Sequence, residues 1–578
     1  MRFLIFIAAT LLIVAPADAR WRRGESTNFI VYAEFSESRM REYVAELERF
    51  DGLLRRFSGL ETVQSLNKLR IFVVRNQGRI SRYLDGNMRV GGIYFSDPRG
   101  PYAIVPRRSA GYGRFRVTGQ NVLFHEYTHH FMMQYFPTSY PAWYVEGFAE
   151  FYSTIRFRDD DEVELGFPAR DNVPWLRLFP WIPHETLLSN RLRNNRMTYA
   201  QGWLLVHHAA FHRETREALN GYLRAISDGI EPSEAYSRNF GDWDPGLDEI
   251  LTAYGTGRRI PVLRLVLDLP PSGPVEIEEL TDDEAAIALL YAREGEQLND
   301  RVEDLLEEYP DVPQLHVEAA ISAIARQDYT TAIEAADTAL AIDADHVEAN
   351  IYKGVATLLS ITAQASDDDT ATAESEDTGE ESADGAEFDV TAFFGFDAGE
   401  ELAADPRWEQ ARGHFIRANN ADHNNALALL YYYLSYPDRE DRPDDAMAAL
   451  NQAYQFVPQS PIIRLLLGRE MLEDGRFEEA GAIVRPVAQD PHQSGSRIMA
   501  LLIQELGARE AGFDQASAIL EELRAEAEAA EAADAEAESQ VAAAAEEEAP
   551  EVGDETDTVD DPVAGAVDSP ATENDPER

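Results

Sequence analysis

The chain has 578 residues, room for roughly three to four domains, and its 44% hydrophobic and 10% aromatic content can fill a proper core. Its formal charge of −53 excludes a general affinity for phosphate backbones, so nucleic acid is not an expected partner. The absence of cysteine rules out disulfides, thiolate metal sites, a cysteine nucleophile and a lipidated cysteine anchor.

Residues 1–19 read as an address. Met1-Arg2 gives a positive start, Phe3 to Val14 is apolar but for Thr10, and Ala17-Asp18-Ala19 is a small-x-small cleavage pattern before Arg20. The apolar run is too short to span a bilayer of about 30 Å. No membrane span is therefore expected in the mature chain. An exported protein without cysteine suits the bacterial periplasm, with the extracellular space as the other option.

The charge is divided sharply. Residues 20–260 carry 32 Lys and Arg against 29 Asp and Glu, whereas residues 261–578 carry 18 against 74. Within the balanced half, Phe29-Ile30-Val31-Tyr32 is a short β-rich run, residues 38–57 show helical spacing, and Leu69 to Val74 reads as a buried strand. Tyr94-Phe95 and Tyr102 to Val105 flank a turn-forming segment, Ser96 to Pro101, and predict a hairpin. Helices alone are expected afterwards, at about 119–136, 142–156, 198–213 and 215–228. Strands followed by helices predict an α+β domain.

From about residue 275 the composition turns to Ala, Leu, Glu and Asp, and a repeat appears. Segments 328–350, 407–427, 442–461 and 475–492 align on Ala332, Ala411, Ala446 and Ala480. The last three alanines recur evenly, at the period of about 34 residues that marks one helix-turn-helix repeat type. The first gap is more than twice as long and reads as two periods plus a short insertion, which the acidic low-complexity stretch 366–387 would supply. This region resembles tetratricopeptide repeats, which implies an all-α solenoid of stacked helix pairs over 275–510. Residues 513–548 are expected to form a solvated Ala/Glu-rich helix, and 549–578 a disordered acidic tail.

The chemistry is concentrated in Asn121-Val122-Leu123-Phe124-His125-Glu126-Tyr127-Thr128-His129-His130, which contains H-E-x-x-H. On a helix, His125 and His129 share one face and can present imidazoles to a single ion. Glu126 lies about 100° away and can reach a water on that ion without being a ligand. At this chain's His and Glu frequencies, the chance count of such a motif is on the order of 0.02. Around it the helix is apolar and aromatic, so the polar trio would be costly to bury without a cation, most simply one Zn²⁺.

Together with Trp143-Tyr144-Val145-Glu146-Gly147-Phe148-Ala149-Glu150, this motif resembles the gluzincin metallopeptidases, in particular peptidase-MA-like bacterial proteins. The resemblance covers about residues 25–260 and implies a zincin-like α+β fold hydrolysing peptide bonds. It implies Glu146 as third metal ligand beside His125 and His129, and Glu150 as a carboxylate that orients a ligand histidine such as His125. Tyr199-Ala200-Gln201-Gly202 matches the pattern in which a tyrosine stabilises the tetrahedral intermediate, so Tyr199 joins Glu126 as an expected catalytic residue. The neighbouring His207-His208 read as core or surface histidines rather than a second metal site.

One departure bears on specificity. Gly91-Gly92-Ile93-Tyr94-Phe95 stands where aminopeptidase members carry a substrate-binding carboxylate, and it has none. The strand Tyr102 to Val105 is instead expected to pair with an extended peptide by edge addition, as suits an endopeptidase. The expected organisation is a signal segment at 1–19, a metallopeptidase domain at 20–262, the repeats, and the acidic tail. A peptide or protein is the expected substrate, with a further protein partner open to the repeats. The alternative is an envelope repeat scaffold whose zinc domain is structural or inactive.

Overall fold

The structure is a computed structural model that describes residues 20–60, 67–83, 91–110, 117–136, 140–158, 162–169, 172–189, 196–257, 259–269, 273–293, 295–370, 404–439, 441–490, 494–525 and 527–528. The leader, most of the acidic insertion and the acidic tail lie outside the described residues. Among the described residues, no helix is long and apolar enough to cross a membrane.

The first part of the chain is built on a six-stranded sheet. Its early strands are β1 (Trp21–Glu25), β2 (Phe29–Glu34), β3 (Leu69–Val74), β4 (Ile93–Phe95) and β5 (Tyr102–Pro106), with helix α1 (Glu37–Ser58) between β2 and β3. Further on come β6 (Ser109–Ala110), β7 (Val117–Thr118), α2 (Gly119–Tyr135), α3 (Ala142–Ser153), β8 (Arg156–Phe157) and β9 (Glu162–Leu165). Then follow α4 (Asn172–Leu178), α5 (His184–Leu188), α6 (Arg196–Phe211), α7 (Arg213–Ser227), α8 (Pro232–Phe240), α9 (Leu247–Gly255), β10 (Leu263–Val266) and β11 (Glu276–Glu279).

The sheet order is β11-β1-β2-β3-β5-β4. Strands β2, β3 and β5 run parallel, and the flanking strands are antiparallel to their neighbours. Alternation along the strands sends Phe29, Val31, Ala33, Leu69, Ile71 and Val73 into one core with α1 and α2. Phe72, Tyr102 and Ile104 point the other way, into a smaller core with Leu289 and Ala292. The predicted α+β character and the hairpin are present.

Two expectations change. Strands do not stop at the hairpin: β8, β9 and β10 form a small sheet, and β11 returns from the far end of the domain to pair with β1. These strands are two to four residues long and charged at alternate positions, so each is too brief to stand out as an apolar run. Strand β11 also lies inside the stretch read as repeats, yet it completes the first sheet. Second, Tyr102 to Val105 is not an edge. It is hydrogen-bonded to β3 on one side and β4 on the other, and the edge beside it is β4, among the described residues.

After α10 (Asp282–Ala288) and α11 (Gly295–Glu308) come α12 (Pro313–Ala325), α13 (Tyr329–Ile342) and α14 (Val347–Thr370). Helix pairs 407–421 with 426–434, 444–456 with 461–473, and 477–489 with 494–508 continue the stack. Ala332, Ala411, Ala446 and Ala480 are all fully buried, each in the first helix of its pair, where a larger side chain would hold the partner helix off. Helix α14 packs directly on 407–421, so closely that a Cβ at Gly354 would lie 2.5 Å from the Phe415 ring. No further pair fits between them, which corrects the reading of the long gap as two periods. It is one period plus an insertion, and residues 366–370 of the acidic stretch extend α14. Ala516, Ile519 and Leu520 are buried against the last pair, so the segment from 513 begins as part of the solenoid and not as a solvated helix.

The solenoid docks on the first domain in cis. Asn67 Nδ2 donates to the Phe456 carbonyl at 3.0 Å, and the Arg485 guanidinium donates to the Ser227 carbonyl at 2.6 Å.

Helix α2 is anchored from below by a buried polar knot. Arg55 Nε donates to Asp51 Oδ2 at 2.7 Å, the Tyr127 hydroxyl donates to Asp51 Oδ1 at 2.6 Å, and the Arg55 guanidinium lies 4.2 Å from the Tyr135 ring centre. Removing one partner of a buried pair strands the other charge. Asp51→Ala is therefore expected to cost about 3–5 kcal/mol, read as a large drop in the thermal midpoint. A midpoint unchanged in Asp51→Ala would show that the knot does not hold α2.

Candidate metal centre

Helix α2 starts from a capping box, with the Thr118 hydroxyl accepting from Asn121 N and the Asn121 side chain returning to Thr118 N. Phe124, Tyr127 and Phe131 bury the face turned to the sheet and α1, and the Phe124 ring stacks on Phe50 at 4.0 Å. The helical period then turns His125 and His129 toward α3 and α6.

There they meet Glu146. Nε2 of His125 and of His129 are 3.0 Å apart, and Glu146 Oε2 lies 3.3 Å from the first and 3.6 Å from the second. One ligand atom from each of the three residues falls within a mutual 4.8 Å. Glu146 has no exposed surface and His129 is buried, while the His125 side chain keeps 17% exposure. A carboxylate without solvent, facing two imidazoles, needs positive charge to offset its lost hydration. The spacing fits a small cation: bonds of about 2.0–2.1 Å to a tetrahedral ion set donor separations of about 3.3 Å. The donor set of two imidazole nitrogens and one carboxylate oxygen matches zinc chemistry.

The other predicted residues gather around this trio. Glu150, one turn beyond Glu146, places Oε1 3.7 Å from His125 Nδ1, the nitrogen turned away from the trio. Tyr199 on α6 lies close enough to Glu146 and Glu150 to feel both charges. Burial, then the charges of Glu146 and Glu150, push its hydroxyl pKa up. Glu126 sits on the same turn as His125, with Oε1 3.3 Å from where a Cβ on Gly92 would be.

Helices α3 and α6 reach this geometry through two glycines. A Cβ on Gly147 would come within 2.3 Å of the Gly202 backbone, and a Cβ on Gly202 within 2.4 Å of the Trp143 carbonyl oxygen. The backbones cross almost in contact, which brings Glu146 and Tyr199 to one point. The E-G and Y-x-x-G patterns contain these glycines, but nothing in either pattern says that the two touch each other.

Sequence reading also missed Tyr94 and His130. The Tyr94 hydroxyl lies 3.0 Å from His130 Nδ1, tying β4 to α2 beside the trio. Burial, with Arg55 adding, holds the His130 pKa down at about 3, so its ring is neutral. His130 immediately follows His129, about 100° round the helix, and its ring lies by Tyr94 and Tyr127; the adjacent motif masked it. His207 and His208 are core residues, as expected. His207 Nε2 is 2.9 Å from the Gly166 carbonyl and its Nδ1 3.0 Å from the Tyr254 hydroxyl, while His208 Nδ1 is 2.9 Å from Thr215 Oγ1.

The tetratricopeptide repeat family matches residues 439–502. Among solved structures the chain is similar to a thermophilic tetratricopeptide-repeat protein from Thermus thermophilus, at 20% identity and a TM-score of 0.27, over 38% of this chain and 93% of that one. No curated protein matches the chain. By the family match, residues 439–502 carry tetratricopeptide-like repeats, an architecture that serves as a scaffold for protein interaction.

Two outcomes follow from the packing. Gly202→Val must force α3 and α6 apart, and zinc affinity measured by competition with a chromogenic chelator is expected to fall at least about 10-fold, the scale seen when a metal site's supporting shell is disturbed; unchanged affinity would contradict the crossing as the source of the geometry. His207, held at about 4 by burial, is neutral when folded, whereas an unfolded imidazole takes its proton near 6.5. The unfolded state binds more protons between those values. Stability is therefore complete above pH 6.5 and falls as pH drops toward 4, by up to about 1.4 kcal/mol per pH unit. His207→Gln should flatten this slope in thermal melts taken from pH 7 to pH 5.

Proposed function

We propose that the chain is a zinc-dependent peptidase that hydrolyses peptide bonds in a protein substrate, with the repeats bringing that substrate or a partner to the first domain. The observation that carries the reading is the convergence of His125, His129 and Glu146 within 4.8 Å, with Glu126 on the same helical turn. The proposal includes export, resting on the leader pattern at 1–19 and the absence of cysteine.

His125, His129 and Glu146 are the residues that would hold the ion, and Glu150 would keep the His125 ring in register. A Zn²⁺ there supplies a Lewis acid and brings the pKa of a water toward about 7. Glu126 is the general base: it takes the proton from the attacking water and hands it to the departing nitrogen. Tyr199, an ordinary phenol donor, gives its O–H to the oxygen on which negative charge develops. Strand β4, a sheet edge among the described residues and preceded by Gly92 beside Glu126, offers its backbone to an extended peptide and takes over the role expected of Tyr102 to Val105. A peptide lying along a strand continues past the site in both directions, as internal cleavage requires.

The second reading, a repeat scaffold with a structural zinc site, draws on the tetratricopeptide match at 439–502. One experiment separates the two. The zinc-loaded protein is incubated with casein and the products are read by mass spectrometry, alongside Glu126→Gln with its zinc content measured. Internal cuts that disappear in a variant retaining one zinc are expected. A Glu126→Gln protein that still cuts would remove the base assignment, and zinc binding without cleavage by either protein would favour the scaffold.

A further inference from the structure

The turn between β4 and β5 does not end in solvent. It carries Arg99 into the first repeat of the solenoid, where the side chain keeps only 10% exposure. Nε donates to Glu348 Oε1 at 2.7 Å and one terminal nitrogen donates to Glu348 Oε2 at 3.1 Å, a two-pronged grip, while the same nitrogen reaches Glu318 Oε1 at 2.6 Å. Gln314 Nε2 donates to both carboxylates, at 2.8 Å to Glu318 and 2.9 Å to Glu348, and fixes their spacing. The Tyr291 ring centre lies 4.2 Å from the guanidinium carbon. Two carboxylates, a bridging amide and an aromatic face around one planar cation form a site shaped for guanidinium.

What this site holds matters because Arg99 is covalently close to β4. That strand is three residues long, pairs only with β5 among the described residues, and would fray readily by itself. Yet it lies along the helix that carries the candidate metal centre: at Gly92, just before it, a Cβ would meet Val122 and Glu126, and Tyr94 reaches His130, next to His129. A buried ion pair adds little net stability over an apolar contact, but it fixes geometry.

We propose that Gln314, Glu318 and Glu348 of the solenoid, with Tyr291 from the sheet's smaller core, form a guanidinium socket, which is filled in cis by Arg99 and thereby holds strand β4 against helix α2. Arg99 is a positioning residue: it acts on the candidate site only through β4. The consequence for catalysis rests on the peptidase reading, whereas the mechanical coupling does not.

The test is amide hydrogen exchange on the full chain, comparing wild type, Arg99→Ala, Arg99→Lys, and Arg99→Ala in ethylguanidinium. With the socket empty, the Ile93–Phe95 amides are expected to exchange at least about 10-fold faster, while the β3 amides, Leu69–Val74, keep the wild-type rate. Ethylguanidinium should restore most of the protection, and Lys, which keeps the charge but loses the fork, should fall between. Unchanged exchange in β4, equal loosening of β3, or no restoration by ethylguanidinium would overturn the proposal. Should Arg99→Ala fail to fold, Glu348→Gln keeps the shape and removes one charge, and faster β4 exchange in it is the expected result, with wild-type exchange the overturning one. In parallel, KM for a casein-derived peptide is expected to rise more than kcat falls. If wild type cleaves nothing, the peptidase reading fails while the exchange result still decides the socket.

Discussion

Glu146 sets the terms for the first domain. A carboxylate stripped of water cannot keep its charge in an apolar interior unless positive charge lies in contact with it. The fold presents it to two imidazole nitrogens at 3.3 and 3.6 Å, with Tyr199 nearby, which leaves a compact, electron-rich point that a divalent ion would satisfy. Around that point the helices have little choice of position. Helix α2 is pinned to α1 by Asp51 and Arg55, and α3 and α6 are drawn together at Gly147 and Gly202 until their backbones nearly touch. The same interior that makes the charge expensive also makes the geometry rigid.

Much of this was legible in the sequence because it is local. The i, i+4 spacing of His125 and His129 belongs to one helix, which was expected at about 119–136. The buried alanines of the solenoid announced themselves by recurring at an even spacing, Ala411 to Ala446 to Ala480. Glu146, Glu150 and Tyr199 could be aligned to a family pattern, but their meeting with His125 and His129 depends on how three helices cross. That information lies in Gly147 and Gly202, which are far apart in the chain and meet only in the fold. Strand pairing was the least legible part. The edge was expected at Tyr102 to Val105, yet that run is buried along its whole length as an interior strand is, and the shorter Ile93–Phe95 takes the edge. Strand β11, four residues with three glutamates, has no apolar signature of its own, and only the long-range pairing with β1 makes it a strand.

The sharp division of charge between the two halves acquires a structural sense where they meet. The acidic half does not simply repel or solubilise. At the turn of the β4–β5 hairpin its glutamates close around an arginine of the balanced half, and Glu348, which burial alone would raise, is brought down to about 2 by Arg99 and Gln314. The solenoid is therefore part of the first domain's architecture as well as a scaffold beside it. A repeat array that already holds Arg99 near its start and meets Asn67 and Ser227 further along has less of its surface to offer other proteins.

The pairing of β1 with β11 also imposes an order of assembly. During synthesis the helices bearing the histidines, Glu146 and Tyr199 have all been made well before residue 276 leaves the ribosome. Until it does, β1 stands as an open sheet edge, able to pair with whatever strand it meets. The segment that seals it is the last to appear before the repeats begin. A nascent chain interrupted between α9 and β11 would thus carry every residue of the candidate centre on a domain whose edge is still exposed, and aggregation, more than loss of chemistry, would be the hazard of truncating this protein there.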